Sequence, residues 1–510
     1  MSRRIRPPVG ITYTESNLSR GIIRDGSRAA IPPGGVYDAS DFFLHNPGVA
    51  QKRGGTVWAG PALVDANYTQ AVGFAPFTAG KKLIAIGDNG HVYSVDGSTT
   101  TDLGGSTTSG IMRDRPKFRS GGTEHLVIPV GDGSTSPLVW DGSGAVASLG
   151  GSPPAGMYAE VYASRIVLAR PNDNPNRMYF SPTPAIDDTW DTANAWIDAN
   201  HEITGLAALQ SALLVFSEHA VERLIGSTPP PGSDMDLRQV MSVGCSDARS
   251  IVVVGGQVIF ANPSGVYLTN GVAARSLTQE GGIESLWQSY FAGGYDESTW
   301  CISAGSFGTN YLFLTISNHD GTLVDSFCCY LPRVCWTRMT NINSAMWISA
   351  SSSNVQGGDE LFYADRQSNR VVAMSTTFGP AEAYANDANG NPVQPILEYR
   401  PVMGYGTGLK AYGMVRVTYD LRATADSTPS IQTTFRTGLR ADTEHAPNFG
   451  GLEATTSVDR RRVSAFSDSN ALTVRLEQVG ASSSTEIYST EVEARDYGYY
   501  DQTHDGVGTA

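Results

Sequence analysis

Side chains that could do chemistry are few in this 510-residue chain, and their spacing argues against most reactions. The eight histidines, His45, His91, His125, His201, His219, His319, His445 and His504, are scattered, and none accompanies a GxSxG turn. HExxH, P-loop and GxGxxG patterns are also absent. The five cysteines, Cys245, Cys301, Cys328, Cys329 and Cys335, form no CxxC and have no histidine pair at zinc spacing. They read as small buried hydrophobes of a reducing compartment. Asp187-Asp188-Thr189-Trp190-Asp191 is the most suggestive acidic group. A glycan-cleaving site needs two carboxylates facing each other across a pocket with an aromatic platform. Neighbours on one turn do not supply that geometry, so the group reads as a polar loop with Trp190 and Trp196 anchored in an adjoining sheet. Asp88-Asn89-Gly90 and Asp132-Gly133-Ser134 lack the ligand series and closing glutamate of a calcium loop and read as turns. Asp459-Arg460-Arg461-Arg462, the densest basic run outside the N-terminus, reads as a solvated loop or a protein contact. No catalytic set, metal or cofactor is expected.

The elements that would position these residues are strands. Charged residues make up 17% of the chain against about 25% on average, and its polarity comes from Gly, Ser, Thr and Asn instead. With 56 glycines and 27 prolines, many turns are implied. The net charge of −14 and pI near 5.0 argue against a sequence-blind nucleic-acid binder, which needs a basic footprint. A surface past which DNA slides remains compatible with that balance. No stretch reaches about 18 consecutive apolar residues, and MSRRIRPPVG has no apolar segment after its arginines. No membrane anchor or signal peptide is therefore expected.

Residues 1–70 show little periodicity and read as an extended arm that must pack on something else. From about residue 71 a hairpin recurs. Leu83-Ile84-Ala85-Ile86 turns through Asp88-Asn89-Gly90 into Val92-Tyr93-Ser94-Val95, and Asn-Gly tolerates the positive φ of a tight turn. Equivalent first strands begin at Leu126, Ile166, Leu213, Val258, Tyr311 and Leu361, 40–53 residues apart. Periods of about 40–50 residues of pure strand are those of propeller blades. Seven markers predict six to eight blades over 71–380, closed into a ring because a lone blade cannot bury both faces. Two stacked sandwiches are the rival arrangement.

A linker-like break at 380–395 follows, and the rhythm then changes. Strict alternation in 413–419, 430–436, 471–477 and 485–493 predicts sheets with one wet and one buried face. Residues 381–510 are thus expected to form a C-terminal β-sandwich, with a loose tail from Asp496.

Two stretches carry a family resemblance. The arm segments Asn17–Asp25 (NLSRGIIRD), Val36–Phe42 (VYDASDF) and Asn46–Gly55 (NPGVAQKRGG) resemble the opening of bacteriophage tail structural proteins. The block Arg177–Ser181 (RMYFS), Trp190-Asp191, Trp196–Asp198 (WID), Ile203–Leu206 (ITGL), Leu213–Ser217 (LLVFS) and Val221–Gly226 (VERLIG) is similar to a signature of the same group. The resemblance implies a nozzle or hub protein of a short-tailed phage: a structural, non-enzymatic virion component with a propeller and a sandwich platform. It further implies assembly in the host cytoplasm as a ring, usually a homohexamer. Partners would be the tail adaptor above and a tail fibre or needle protein below, with genomic DNA passing through. On this reading acids line the channel and repel phosphates; Asp88, Asp132, Asp173, Glu280 and Glu284 are the candidates. The alternatives are a carbohydrate-binding or glycan-cleaving propeller at the host surface, or an upper-tail or needle-hub adaptor of the same architecture.

Overall fold

The computed structural model describes residues 9–496 apart from single positions and loop stretches, chiefly 108–116, 351–359, 375–385, 403–409, 438–442, 446–451 and 454–458. Within the described residues seven four-stranded antiparallel blades follow one another. Blade one runs from Thr69–Phe77 to Thr99–Asp102, blade two from Lys117–Ser120 to Ala147–Ser148, and blade three from Tyr158–Tyr162 to Trp196–Asp198. Blade four spans Gly205–Leu209 to Asp236–Met241, blade five Val252–Val254 to Ala274–Ser276, and blade six Trp300–Phe307 to Cys335–Met339. Blade seven takes three strands from Ser344–Ala350, Glu360–Asp365 and Arg370–Met374. Its fourth comes from the other end of the chain: Thr56–Trp58 pairs with Val372–Met374.

The ring closes because the first strand of blade seven packs against the first strand of blade one. First strands of blades three to seven also touch their neighbours, which places them innermost. Between blades lie the apolar cores. Phe77, Ile86, Ile128 and Trp140 join blades one and two; Val127, Leu168 and Trp190 join two and three. Phe180, Phe216 and Phe260 continue through three, four and five. Phe313, Cys328, Trp347 and Tyr363 join six and seven, and Phe74, Tyr93, Ile348 and Val371 join seven and one. Both faces of each second strand are thereby buried, as in Ala212–Phe216.

The seven hairpin markers all lie on second strands, one per blade, so their number equals the blade count. What the hairpin pattern does not reveal is the strand before each marker and the outermost strand. The innermost strand of blade four, Gly205–Leu209 (GLAAL), is a small-residue segment where the blades converge. At Gly305, on the innermost strand of blade six, an added Cβ would lie 2.7 Å from Trp347 Cβ. Outermost strands such as Thr99–Asp102 are exposed and carry no apolar signal.

The C-terminal unit is a sandwich of two sheets. One contains Asp459–Ser469, Lys410–Ala423, Ser482–Asp496, Val49–Lys52 and Phe42–Asn46, with Val9–Glu15 also on Ser482–Asp496. The other runs from Gly35–Ser40 through Ile396–Tyr399 and Leu472–Val479 to Ser430–Thr437. Alternating Leu472, Val474 and Leu476 face Val415, Val417, Tyr419 and Leu421 in one core. Tyr412 joins that odd-numbered row because a bulge between Tyr412 and Met414 shifts the phase by one residue.

Two expected boundaries change. The described part of residues 1–70 is not a separate arm. Their strands complete the sandwich and blade seven, and Gly21–Ile22 with Gly35–Ser40 joins the edge strand of blade six to the sandwich in one continuous sheet. A strand supplied from the far end of the chain leaves no local periodicity to read. The break at 380–395 is not a slack linker where it is described, since Asp387 is buried in an ion pair. Asp459-Arg460-Arg461-Arg462 opens an edge strand rather than a loop. The tail beyond Asp496 lies outside the described residues.

Candidate functional site

In a blade whose first strand is innermost, the turn between strands two and three and the link to the next blade emerge on the same face. Asp88, Asp132 and Asp173 occupy the former position in blades one, two and three. Each turn is locally satisfied. Asp88 Oδ1 accepts from the Asn67 amide at 2.7 Å. Asp132 Oδ1 accepts from the Ser134 and Thr135 amides, at 2.9 and 2.8 Å, and Oδ2 from the Thr135 hydroxyl at 2.6 Å. Desolvation pushes the Asp132 carboxyl up, but these donors outweigh it and hold the group below the usual carboxylate range. Asn172 Nδ2 donates to the Asp132 carbonyl at 2.7 Å, which docks the Asp132 and Asp173 turns side by side. Asp173 is exposed.

Glu280 and Glu284 lie in the link between blades five and six, on that same face. Glu280 ends the helical turn Leu277–Glu280 and pairs with Arg275 at 2.7 Å. Glu284 opens the helix Glu284–Tyr290 and is half-buried, with its amide donating to Asp25 Oδ2 at 3.2 Å. The five acids therefore share one rim of the propeller.

None of them stands on an innermost strand, so none lines the propeller's own axis. The seven innermost strands hold three charged residues, Lys117, Arg119 and Glu160, among Ala, Gly, Ser and apolar side chains. Most of the charge therefore sits in the turns, where side chains have room. An acidic channel wall can only be built from the rim.

The Asp187-to-Asp191 loop connects the last two strands of blade three. Trp190 is buried between blades two and three, with Nε1 donating to the Ile186 carbonyl at 2.9 Å. Asp187, Asp188 and Asp191 are exposed. The arrangement is an anchored loop, with Arg177 lying 3.7 Å over the Trp196 ring. All five cysteines are buried and unbridged. Cys328 and Cys329 point into different cores, and burial raises both thiols well above their ordinary value.

Sequence reasoning missed two features. The first is a buried charge cluster at the junction of propeller and sandwich. Arg53 Nε donates to Asp41 Oδ1 at 2.5 Å; Nη1 and Nη2 donate to the two carboxylate oxygens of Asp387, both at 2.9 Å. Nη2 also reaches the Thr340 carbonyl at 2.8 Å. Asp41 adopts φ +58 and accepts from the Thr340 amide at 2.9 Å and from its hydroxyl. Arg53 thus clamps the N-terminal segment, the link between blades six and seven, and the approach to the sandwich. Beside it, Lys52 Nζ donates to the Ser482 carbonyl at 2.7 Å, and burial pulls its ammonium down to about 7. A Lys-Arg pair beside Gly-Gly gave no sign of burial in the sequence.

The second feature is a cavity of about 530 Å³ on the rim between blades six and seven. The 341–343 link, the 365–368 turn of blade seven and the 387–391 turn surround it, with Trp58 and Tyr363 at its wall. Asp365 is 8% exposed and accepts from the Ser368 amide at 2.9 Å, and burial raises its carboxyl above the usual range. Among the described residues no helix is long and apolar enough to cross a membrane.

No family model matches the sequence, and no curated protein matches it. Solved structures match it in part. A crystal structure of BBS1N in complex with ARL6DN is 10% identical, with a TM-score of 0.38 over 63% of this chain and 98% of that one. Sqt1 from Saccharomyces cerevisiae is also 10% identical, with a TM-score of 0.37 over 63% of this chain and 98% of its own. At TM-scores this low, neither likeness bears on function or partners.

Proposed function

We propose that the chain is a structural subunit of the distal tail of a short-tailed phage, a nozzle or hub that assembles as a homohexameric ring around the DNA-ejection channel and gates genome release. The observation that carries this reading is the fusion of the two units into one body. The sheet of blade six continues through Gly21–Ile22 and Gly35–Ser40 into the sandwich, and Arg53 locks the joint. A ring subunit that must transmit a gating movement needs such a joint, whereas a ligand-carrying propeller does not. The segments that resemble phage tail proteins supply that stitching: Asn17–Asp25 contributes the bridging strand, and Val36–Phe42 and Asn46–Gly55 contribute Asp41, Lys52 and Arg53.

In such a ring the rim bearing Asp88, Asp132, Asp173, Glu280 and Glu284 faces the channel, where acids keep phosphates from sticking. The partners are a tail adaptor, and a fibre or needle protein. The test is electron microscopy of purified particles labelled with an antibody to this chain, together with ejection kinetics of particles carrying Asp88→Lys, Asp132→Lys and Asp173→Lys. Label at the distal tail, with slower and more salt-dependent ejection in the variant, is expected. Particles without label refute the tail assignment, and unchanged ejection at low ionic strength refutes the electrostatic role of the rim.

A further inference from the structure

The sheets of this molecule differ in how their free edges end. An unpaired edge strand offers a row of backbone N–H and C=O groups to another strand, and proteins blunt such edges by shortening or charging them. The blades follow that rule. Ala147–Ser148 and Trp196–Asp198 have two and three residues, Thr99–Asp102 ends on an acid, and Asp236–Met241 carries the ion pair of Arg238 with Asp236 at 2.6 Å. Val9–Glu15 (VGITYTE) departs from it. This strand has seven residues, mostly of β-forming types and without Pro, Lys, Arg or Asp. Its one charge, Glu15, is held by Arg400 at 2.6 Å. It pairs with Ser482–Asp496 on one side, and among the described residues no strand covers the other. Tyr13 packs against the sandwich core, while Thr12 and Thr14 are exposed. The opposite end of the same sheet is also open among the described residues. There Asp459–Ser469 pairs with Lys410–Ala423, and after Arg462 it runs through five uncharged residues, Val463–Ser467.

The two edges match in direction as well. Three antiparallel pairings separate Val9–Glu15 from Asp459–Ser469, so the end strands run opposite ways. A second copy set beside the first in the same orientation therefore meets it with an antiparallel strand pair, the pairing already used across the sheet. Such a contact is heterologous, repeats from copy to copy and closes into a ring where the rotation allows.

We propose that Val9–Glu15 of one copy adds to Asp459–Ser469 of the next, so that the contact between subunits is a continued sheet. The proposal deepens the ring reading and rests on it. Sedimentation velocity of the intact chain over a range of concentrations should show assembly beyond a monomer. Thr12→Lys with Thr14→Lys guards the edge and sets like charges beside the Arg460–Arg462 run, so the concentration for half-assembly should rise about tenfold or more. Cross-linking supplies a readout independent of that variant. Thr12 and Ser464 share a row through Glu493 and Met414, three strand spacings or roughly 14 Å apart within one copy. The natural cysteines are buried. In Thr12→Cys with Ser464→Cys, a bis-maleimide too short for that span should therefore join different copies and give a ladder on a denaturing gel. Unchanged assembly of the Lys variant, or no ladder from a chain that still assembles, overturns the strand pairing and leaves the ring. Cross-linked dimers from Thr12→Cys alone would mean that two Val9–Glu15 strands meet about a two-fold axis, which overturns it too. A chain that is monomeric at every concentration overturns the strand pairing and the self-assembled ring together, while labelled particles still decide the tail assignment.

Discussion

Replacing Arg53 by Met tests whether the buried cluster holds the two units together. Arg53 is 1% exposed, and its partners Asp41 and Asp387 are 0% and 4% exposed. The substitution keeps most of the aliphatic stem but strands two carboxylates that are buried from solvent. Removing one partner of a buried ion pair costs about 3–5 kcal/mol. Lys52 reduces that figure. Its ammonium is held down by burial first and by Arg53 second, while Asp41 and Asp387 act to raise it. Without Arg53 it charges more readily and partly compensates, so the loss should fall near the lower end, about 3 kcal/mol. A chain of two units need not unfold in one step. Scanning calorimetry of the wild type should give overlapping transitions, and Arg53→Met should split off an earlier one belonging to the sandwich. Urea unfolding followed by sandwich-specific hydrogen exchange supplies the free-energy difference. The double variant Arg53→Met with Asp387→Asn should lose less than the sum of the singles, because one stranded charge is gone. A loss under about 1 kcal/mol for Arg53→Met with an unchanged urea slope would refute the clamp, since surface pairs are worth that little.

Other outcomes follow from the same contacts. Lys52 has a folded value of about 7, below its ordinary 10.5, so between these values the unfolded chain binds more protons and stability rises with pH. From pH 7 to 9 the wild type should gain up to about 2 kcal/mol relative to Lys52→Met in urea titrations; parallel curves would show that Lys52 is solvated. The five cysteines should resist a thiol reagent in the native state and react only as fast as the protein unfolds, since burial raises Cys328 and Cys329; a rapidly titrating thiol would contradict that burial. Trp190→Ala should cost about 3–5 kcal/mol, measured by urea unfolding, by emptying the core between blades two and three. Val57→Pro in the middle of the fourth strand of blade seven breaks its pairing with Arg370–Met374 and bares that strand, in a chain that keeps the sandwich strands of the N-terminal segment. The variant should associate in light scattering, and a monodisperse monomer would mean that the ring closes without that strand.

The sequence by itself determined the all-β class, the hairpin in every blade and the four alternating strands of the sandwich. Each of these is written locally, in the two-residue period of a half-buried strand or in an apolar run closed by Asn-Gly or Asn-Pro-Ser-Gly. The rim acids were legible as turn residues for the same reason, while their common face was not, because it depends on which strand of a blade lies innermost. That order is set by packing around an axis, where Gly205–Leu209 succeeds through small size and leaves little periodic signal. Only the tertiary structure decided where the first seventy residues go. Thr56–Trp58 pairs with a strand more than three hundred positions away, and no window of sequence contains both partners. Arg53, Asp41 and Asp387 are likewise unremarkable in the chain, as are Asn343 and Asp365. Their burial arises where the propeller, the sandwich and the returning N-terminus meet, and burial turns ordinary surface residue types into a clamp and a cavity wall.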